Sequence, residues 1–370
     1  MQKNISSENE KFAPRYIRIY DRLRNGIVSG DYPYGSRLPS RKTLAAEMNV
    51  SVITVKHAYE LLCDEGYLES RERSGYYVIF RKEDGFASTA KVATVEGLHL
   101  ESKMSSDFPF SVLAKTMRRV LSDYGETLLE KTQNKGCIEL RDALSKYLAR
   151  NRSIHADPEQ IVVGSGAEYL YSFIVGIFGT ETSFALESPS YNKIKQVYRM
   201  AGAGCEMLPL GPDGIESKAL SESKADVLHI SPYRSFPSGV TASASKKYEY
   251  IRWAARPGHF IVEDDFESEF SISRKSEETM FSLSKADNVI YMNTFSKTIS
   301  PSLRVGYMVL PKCLVDRFDV RLGFYSCTVP TFEQLVIAEL INNGDFERHI
   351  NRVRRNQRRE QTREQTKIGV

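Results

Sequence analysis

Apolar side chains recur at Tyr16, Tyr20, Leu23 and Ile27, spacings of four, three and four that set them on one face of a helix over residues 14–29. Pro14 suits its first turn and Gly30 its end. A turn in Tyr32-Pro33-Tyr34-Gly35 leads to Ser40, a candidate N-cap for a short helix with Leu44, Ala45 and Met48 facing inward. Asn49-Val50 turns the chain again. Ser51 can cap a third helix with Val52, Val55, Tyr59 and Leu62 on its inner face and Thr54, Lys56, His57 and Glu60 around the other sides. Gly66 stops that helix. Tyr67–Ser70 and Tyr76–Ile79 then flank Arg71-Glu72-Arg73-Ser74-Gly75 as a hairpin with a basic tip.

Residues 81–106 show no sustained period and are expected to be a linker. From Phe108-Pro109 onward helical and strand-like segments alternate. Helices are predicted at 110–122, 137–150 and 166–178. Strands are predicted at Ile161–Val163, Ser183–Leu186, Val227–Ile230, His259–Val262, Val289–Met292 and Gly306–Leu310. Such alternation argues an α/β domain on a mainly parallel sheet, with helices on both faces and ligands at the C-terminal strand ends.

Composition narrows the class. With 370 residues and 41% hydrophobic positions, the chain is long enough for two or three folded domains and is not disordered as a whole. Five scattered cysteines without a CxxC pair argue against a disulfide framework and a structural zinc site. No apolar leader opens the chain, and its longest uncharged apolar stretch, Tyr169–Thr180, is shorter than the roughly 20 residues of a membrane span, so a cytoplasmic protein is expected. The net charge of +4 is unevenly spread. Residues 1–82 hold 14 Lys/Arg against 10 Asp/Glu, residues 83–340 hold 29 against 33, and residues 341–370 hold 8 against 4. A basic small domain is suited to a polyanion, because phosphate neutralisation supplies most nucleic-acid affinity.

The first module reads as helix, tight turn, amphipathic helix and basic hairpin, a geometry that fits duplex DNA with the third helix in the major groove. A three-helix domain with a solvated polar face would show the same periods. In the large module each predicted strand end carries polar residues. Gly164-Ser165-Gly166-Ala167-Glu168 is a small-residue turn opening a helix, which offers amide donors to a phosphate, although such turns are commonly only turns. Tyr191 follows one strand and Ser231–Gly239 another. Glu263-Asp264-Asp265 closes a third, as a solvated end or a metal site. Thr294-Phe295-Ser296-Lys297 closes a fourth and precedes Arg304. Together these ask for one ligand with a phosphate, an aromatic ring, a basic ring nitrogen and an electrophilic carbonyl, as in pyridoxal 5′-phosphate.

The wording of residues 14–79, above all Gly35–Ala45, Val50–Val55, Ala58–Leu62 and Glu65–Leu68, resembles the winged helix-turn-helix of the GntR regulators. That resemblance implies DNA contacts at Lys42, Ser51, Thr54 and Lys56, with Arg41 beside them, and at Arg71 and Arg73 on the wing. The order and spacing of the later motifs resemble fold-type I aminotransferases. In that resemblance Lys297 is the Schiff-base lysine and Asp264 the partner of the pyridine nitrogen. Tyr191 stacks on the ring, Ser165, Gly166, Ala167, Ser296 and Arg304 cradle the phosphate, and Phe266 and Thr294 complete the cofactor set. A GntR head on such a body, over about residues 14–355, is similar to the MocR/GabR subfamily of transcription regulators. The segments Glu263–Phe270 and Tyr291–Lys297 carry its specific wording.

The expected organisation is therefore a winged helix-turn-helix domain at 14–80, the linker, and an aminotransferase-like domain at 107–350. The sequence departs from the family at several points. Phe266 stands where the family usually has a Tyr whose hydroxyl meets the cofactor O3′, a loss of roughly 1 kcal/mol. Tyr233-Arg234-Ser235 replaces Ser-His-Gln, and Lys193 replaces an arginine, losing the bidentate fork that clamps a carboxylate. Residues 351–370 form a basic tail where family members continue into a small C-terminal domain. The expectation is a truncation with that domain largely missing, the tail being either a solvated basic helix or the out-of-frame end of a disrupted gene.

The resemblance implies a regulator that binds an operator in double-stranded DNA and senses a small amine or amino acid through an aldimine at Lys297. A homodimer is implied, with at most residual transaminase activity. Two other functions remain open, a working aminotransferase with an incidental head and a DNA-binding fragment without effector response.

Overall fold

The computed structural model of the chain describes residues 14–72, 74–81, 108–271 and 278–368. It divides into two compact units, Met1–Glu101 and Ser102–Val370. Of the expected linker only Arg81 falls within the described residues, and Arg73 falls outside them.

The first unit holds α1 (Arg15–Ser29), α2 (Arg41–Glu47), α3 (Val52–Asp64) and a hairpin of β1 (Leu68–Arg71) and β2 (Gly75–Val78). Ser40 and Ser51 each accept the amide of the residue three positions on, Thr43 and Thr54, at 3.1 Å, so both helix starts are capped as the sequence predicts. Leu38 N–H donates to the Tyr76 carbonyl at 2.9 Å, which lays the chain before α2 along the hairpin. The inner faces are rotated from the expected ones. In α1 the buried stripe is Ile19, Leu23, Gly26 and Ile27, while Tyr16 and Tyr20 lie at its rim, where the Tyr20 hydroxyl reaches Glu65 Oε2 at 2.5 Å. In α3 Val52 is 42% exposed and Ala58 takes its place beside Val55, Tyr59 and Leu62, while Met48 is half-buried. The cause is simple: the first turn of a helix projects beyond the core it packs on, and at that rim the Tyr20 hydroxyl finds a polar partner.

The second unit is built on an eight-stranded sheet. Two helices, α4 (Phe110–Tyr124) and α5 (Ile138–Arg152), lead into β3 (Ile161–Gly164), α6 (Ala167–Phe178), β4 (Ser183–Ser188) and α7 (Asn192–Met200). Next come β5 (Gly204–Gly211), β6 (Gly214–Ile215), α8 (Ser217–Glu222), β7 (Val227–Ile230), α9 (Ala244–Ala254) and β8 (Phe260–Asp264). The chain closes with α10 (Met280–Leu283), β9 (Val289–Thr294), β10 (Gly306–Val309), α11 (Lys312–Leu322), α12 (Thr331–Asn342) and α13 (Asp345–Ile368).

Strand order is β3-β10-β9-β8-β7-β4-β5-β6. The central pairs are parallel, and β10 runs antiparallel to both its neighbours. Alternate strand residues enter opposite cores. Ile161, Val163, Tyr291, Tyr307 and Val309 pack toward α5 and α12, whereas Val162, Ile290, Met292 and Met308 pack toward α6 and α11. The strand at β5 is absent from the expected set because it alternates half-exposed positions and carries Pro209, the character of a strand near a sheet edge. The last helix runs through the expected boundary at 350/351 without a break, and its first half is anchored on the body. Val353 is buried, and Arg354 Nε donates to the Glu269 carbonyl at 2.5 Å.

The Tyr59 hydroxyl, fully buried in the head, donates to the Pro39 carbonyl at 2.7 Å. Tyr59→Phe should cost the head about 1 kcal/mol in thermal or urea unfolding. Tyr59→Ala should cost ~3–5 kcal/mol; equal effects of the two would place the ring outside the core.

Candidate functional site

A cavity of about 360 Å³ opens in the body at the C-terminal ends of β7, β8 and β9, beside the start of α6. Its wall brings together Ala167, Tyr191, Asp264, Phe266, Thr294, Ser296, Lys297 and Arg304 from the sequence-predicted set, joined by Glu168, Tyr171, Ser231 and Phe236. Gly166 adjoins it through Arg304. Ser165 is not in the wall, and its hydroxyl hydrogen-bonds that of Thr328.

The floor is a buried carboxylate. Asp264, at the last position of β8, accepts the Tyr171 hydroxyl at 2.6 Å, and His229 Nε2 stands 3.6 Å from the same oxygen. His229 in turn shares a 2.7 Å hydrogen bond between Nδ1 and the Tyr198 hydroxyl. Burial first, then the charge of Asp264, pushes both tyrosine hydroxyls well above their ordinary range, so they stay protonated. Neither Tyr171 nor His229 stands out in the sequence. Each has a signal nonetheless: Tyr171 is one turn beyond Ala167, and His229 interrupts an apolar strand adjacent to the one that ends in acids.

The three successive acids go to three places. Glu263 accepts the amides of Met280 and Phe281 at 2.9 and 3.0 Å, at the start of α10. Asp265 meets Arg152 Nη2 at 2.5 Å and the Tyr291 hydroxyl at 2.9 Å, and Glu269 lies 3.8 Å from the same guanidinium. All three acids are buried, so this strand end is not a solvated one. Among the described residues no group of His, Cys, Asp and Glu has the disposition of a metal site.

On the anion side, α6 starts after Gly166, whose φ of +84° favours glycine. A Cβ there would stand 3.0 Å from Arg304 Nη2, so the guanidinium rests directly on the turn. Arg304 Nη2 donates to Glu168 Oε2 at 2.6 Å, and Lys193 Nζ donates to Glu168 Oε1 at 2.8 Å. Burial would raise the Glu168 carboxyl, but the hydrogen bonds from Lys193 and Arg304 outweigh it and bring it down to about 2.

Lys297 and Arg304 share one loop, residues 295–305, that leaves β9 and returns as β10. Phe295 N–H closes its base on the Val305 carbonyl at 2.9 Å. Lys297 Nζ donates to Glu267 Oε1 at 3.0 Å and sits 4.7 Å from the centre of the Phe266 ring. Arg234 Nε lies 3.8 Å from the other Glu267 oxygen. Across the cavity Tyr191 meets Phe236 edge to face, with centroids 6.1 Å apart. Behind this wall Glu187 accepts the Ser235 hydroxyl at 2.6 Å and the Ser231 amide at 3.3 Å.

In the head, Arg41, Lys42, Lys56 and Arg71 are all exposed. Lys56 pairs with Glu60 at 3.3 Å, and Arg71 pairs with Glu69 at 2.8 Å while lying over the Tyr77 ring. The hydroxyls of Ser51 and Thr54 are 2.8 Å apart at the start of α3.

Comparison with known proteins places both units. Residues 15–78 match the profile of bacterial regulatory proteins of the gntR family, and residues 101–368 match aminotransferase class I and II. The chain is 31% identical to the HTH-type transcriptional regulator YdeL of Bacillus subtilis (strain 168), over 92% of this chain and 76% of that one. It is 28% identical to the "Probable rhizopine catabolism regulatory protein MocR" of Rhizobium meliloti, over 92% and 74%. Among solved structures, kynurenine aminotransferase of Pyrococcus horikoshii superposes with a TM-score of 0.62 at 25% identity. The match covers 67% of this chain and 64% of that enzyme, so the chain spans less than two thirds of the enzyme's length.

Two buried acids behind the cavity give the fold a pH signature. Burial raises Glu187 and Glu263 to about 7, the latter with help from Asp265. Between about pH 4.5 and 7 the folded chain thus holds protons that the unfolded chain has released. Their contribution is full below the unfolded carboxyl range and is lost as pH rises toward 7, up to about 3 kcal/mol each. Urea unfolding at pH 5 and pH 7.5 should show this fall, and Glu187→Gln should shrink it. An undiminished fall would remove Glu187 from the linkage.

Proposed function

We propose a cofactor-dependent effector switch for this chain, which belongs to the MocR/GabR subfamily of GntR transcription regulators. Its body would hold pyridoxal 5′-phosphate and sense a small amine or amino acid, and its head would bind an operator in the cytoplasm. The observation that carries the reading is the meeting of Lys297, Asp264, Tyr191 and Arg304 in one cavity beside the Gly166 turn.

The residues present fit the cofactor. A Cβ at Gly166 would crowd Arg304 Nη2 at 3.0 Å, so glycine keeps the turn open beneath the guanidinium as a cradle for a compact anion requires, and Asp264 is a buried acceptor in the cavity wall. Lys297 would hold the aldehyde carbon and Asp264 the ring nitrogen. Tyr191 would cover the ring. The amides of residues 165–167, the Ser296 and Thr294 hydroxyls and Arg304 would hold the phosphate. Ser165 would act through its amide, since its hydroxyl is engaged by Thr328. When bound, the cofactor supplies a carbonyl that exchanges one primary amine for another.

The chain's own residues do the rest. Tyr171 holds Asp264 in its buried position by a hydrogen bond, with His229 Nε2 3.6 Å from the same oxygen. Glu267 takes up the ammonium of Lys297 whenever that amine is not bonded, so an incoming effector amine finds the lysine held aside. Phe266 offers no hydroxyl to the cofactor, and its ring packs beside the Lys297 ammonium instead. Switching then follows from the difference in effector affinity between two conformations of the regulator.

In the head α3 would enter the major groove with Ser51 and Thr54 leading. Lys56, Arg41 and Lys42 would contact the backbone, and the wing would contribute Arg71 and Arg73. A homodimer would present two heads to a two-fold operator.

Borohydride reduction of the full chain mixed with pyridoxal 5′-phosphate should fix the cofactor on the peptide that spans Lys297. Label elsewhere, or equal label on Lys297→Ala, would overturn the assignment. For the head, Lys56→Ala should weaken binding across DNA sequences and lower the salt slope by about one. An unchanged slope would take Lys56 off the backbone.

A further inference from the structure

We infer that Glu168 is a built-in competitor for the cofactor phosphate, a carboxylate already seated on the guanidinium that the phosphate needs. The inference rests on the reading of the cavity as a pyridoxal phosphate site.

Glu168 is the second residue of α6, inside the cavity wall, and its two oxygens are spent on two cations. Arg304 Nη2 is 2.6 Å away and Lys193 Nζ 2.8 Å. Arg304 Nη2 also lies on the Gly166 turn, where an added Cβ would stand 3.0 Å from it, so the carboxylate and the turn share one guanidinium. The acid keeps its charge throughout the ordinary pH range, being lowered to about 2. A phosphate arriving at the Gly166 turn therefore meets a fixed negative charge on its own arginine, and like charges on one donor repel.

Lys193 gives Glu168 another place to go. Its ammonium lies on the far oxygen, so the carboxylate can leave Arg304 and still keep an ion pair. The cradle thus has two arrangements, closed with Glu168 shared between Arg304 and Lys193, and open with Glu168 on Lys193 alone. Only ligands that carry the phosphate have to drive the change. The cofactor is consequently held less tightly, and exchanges more readily, than in a cradle without the acid.

Equilibrium dialysis of the full chain against pyridoxal 5′-phosphate and against pyridoxal tests this. Glu168→Gln should tighten pyridoxal 5′-phosphate about tenfold, or ~1.4 kcal/mol, and change pyridoxal less than about twofold. Lys193→Met should weaken the phosphorylated ligand in the otherwise unchanged chain and have little effect in the Glu168→Gln background, because it leaves the carboxylate no other partner. Circular dichroism establishes that each variant is folded. Equal affinity of the original chain and a folded Glu168→Gln, an equal gain for pyridoxal, or an equal loss from Lys193→Met in both backgrounds overturns the inference alone. No retention of pyridoxal 5′-phosphate by either protein overturns the reading of the site as well.

Discussion

A carboxylate at the end of a buried strand is the constraint around which the body is arranged. Charge removed from water must be met by donors, and Asp264 receives one from the Tyr171 hydroxyl on α6, with the imidazole of His229 on β7 standing 3.6 Å from the same oxygen. Tyr198 fixes that imidazole from α7. The same rule governs the flanking positions. Pleating turns Glu263 toward the amides of α10 and leads Asp265 to Arg152, so three adjacent acids are buried without opposing one another at a single point. The cavity is then the side of Asp264 left unfilled.

Much of the architecture is legible in the primary structure because it depends on local rules. Ser40 and Ser51 announce their helices through capping, and the apolar runs announce β3, β7, β8 and β9 through burial. The motif residues Tyr191, Asp264, Lys297 and Arg304 stand at or near strand ends and do meet in space. What escapes is what depends on partners distant in sequence. Tyr171 and His229 acquire a role only when α6 and β7 are laid against β8. Glu168 and Glu267 acquire their partners, Arg304 and Lys297, only in the folded chain. That the Ser165 hydroxyl pairs with Thr328, far along the chain, is likewise beyond local reading. In the head, spacing alone places Tyr16 and Val52 inside, while the extent of the core decides otherwise.

The two units carry opposite electrostatic designs. In the head the cations lie exposed, lightly paired with neighbouring acids such as Glu60 and Glu69, and are available to a polyanion. Such pairs contribute little stability and exchange partners easily. In the body Arg304 is met by Glu168 and Lys297 by Glu267, so charge at the cavity is already compensated before any ligand arrives. A regulator needs both conditions: affinity at one end that depends on salt, and selectivity at the other that depends on which ion pair a small molecule can replace.

The loop from 295 to 305 carries Lys297 and Arg304 on a single span pinned at its base by the Phe295 and Val305 backbone and framed by the antiparallel pair β9 and β10. Its two cationic landmarks are therefore separated by a fixed length of chain. Exchanges at its other positions leave that spacing intact, whereas adding or deleting even one residue would shift one landmark against the other. Length joins the identity of the two cations as something this segment has to keep.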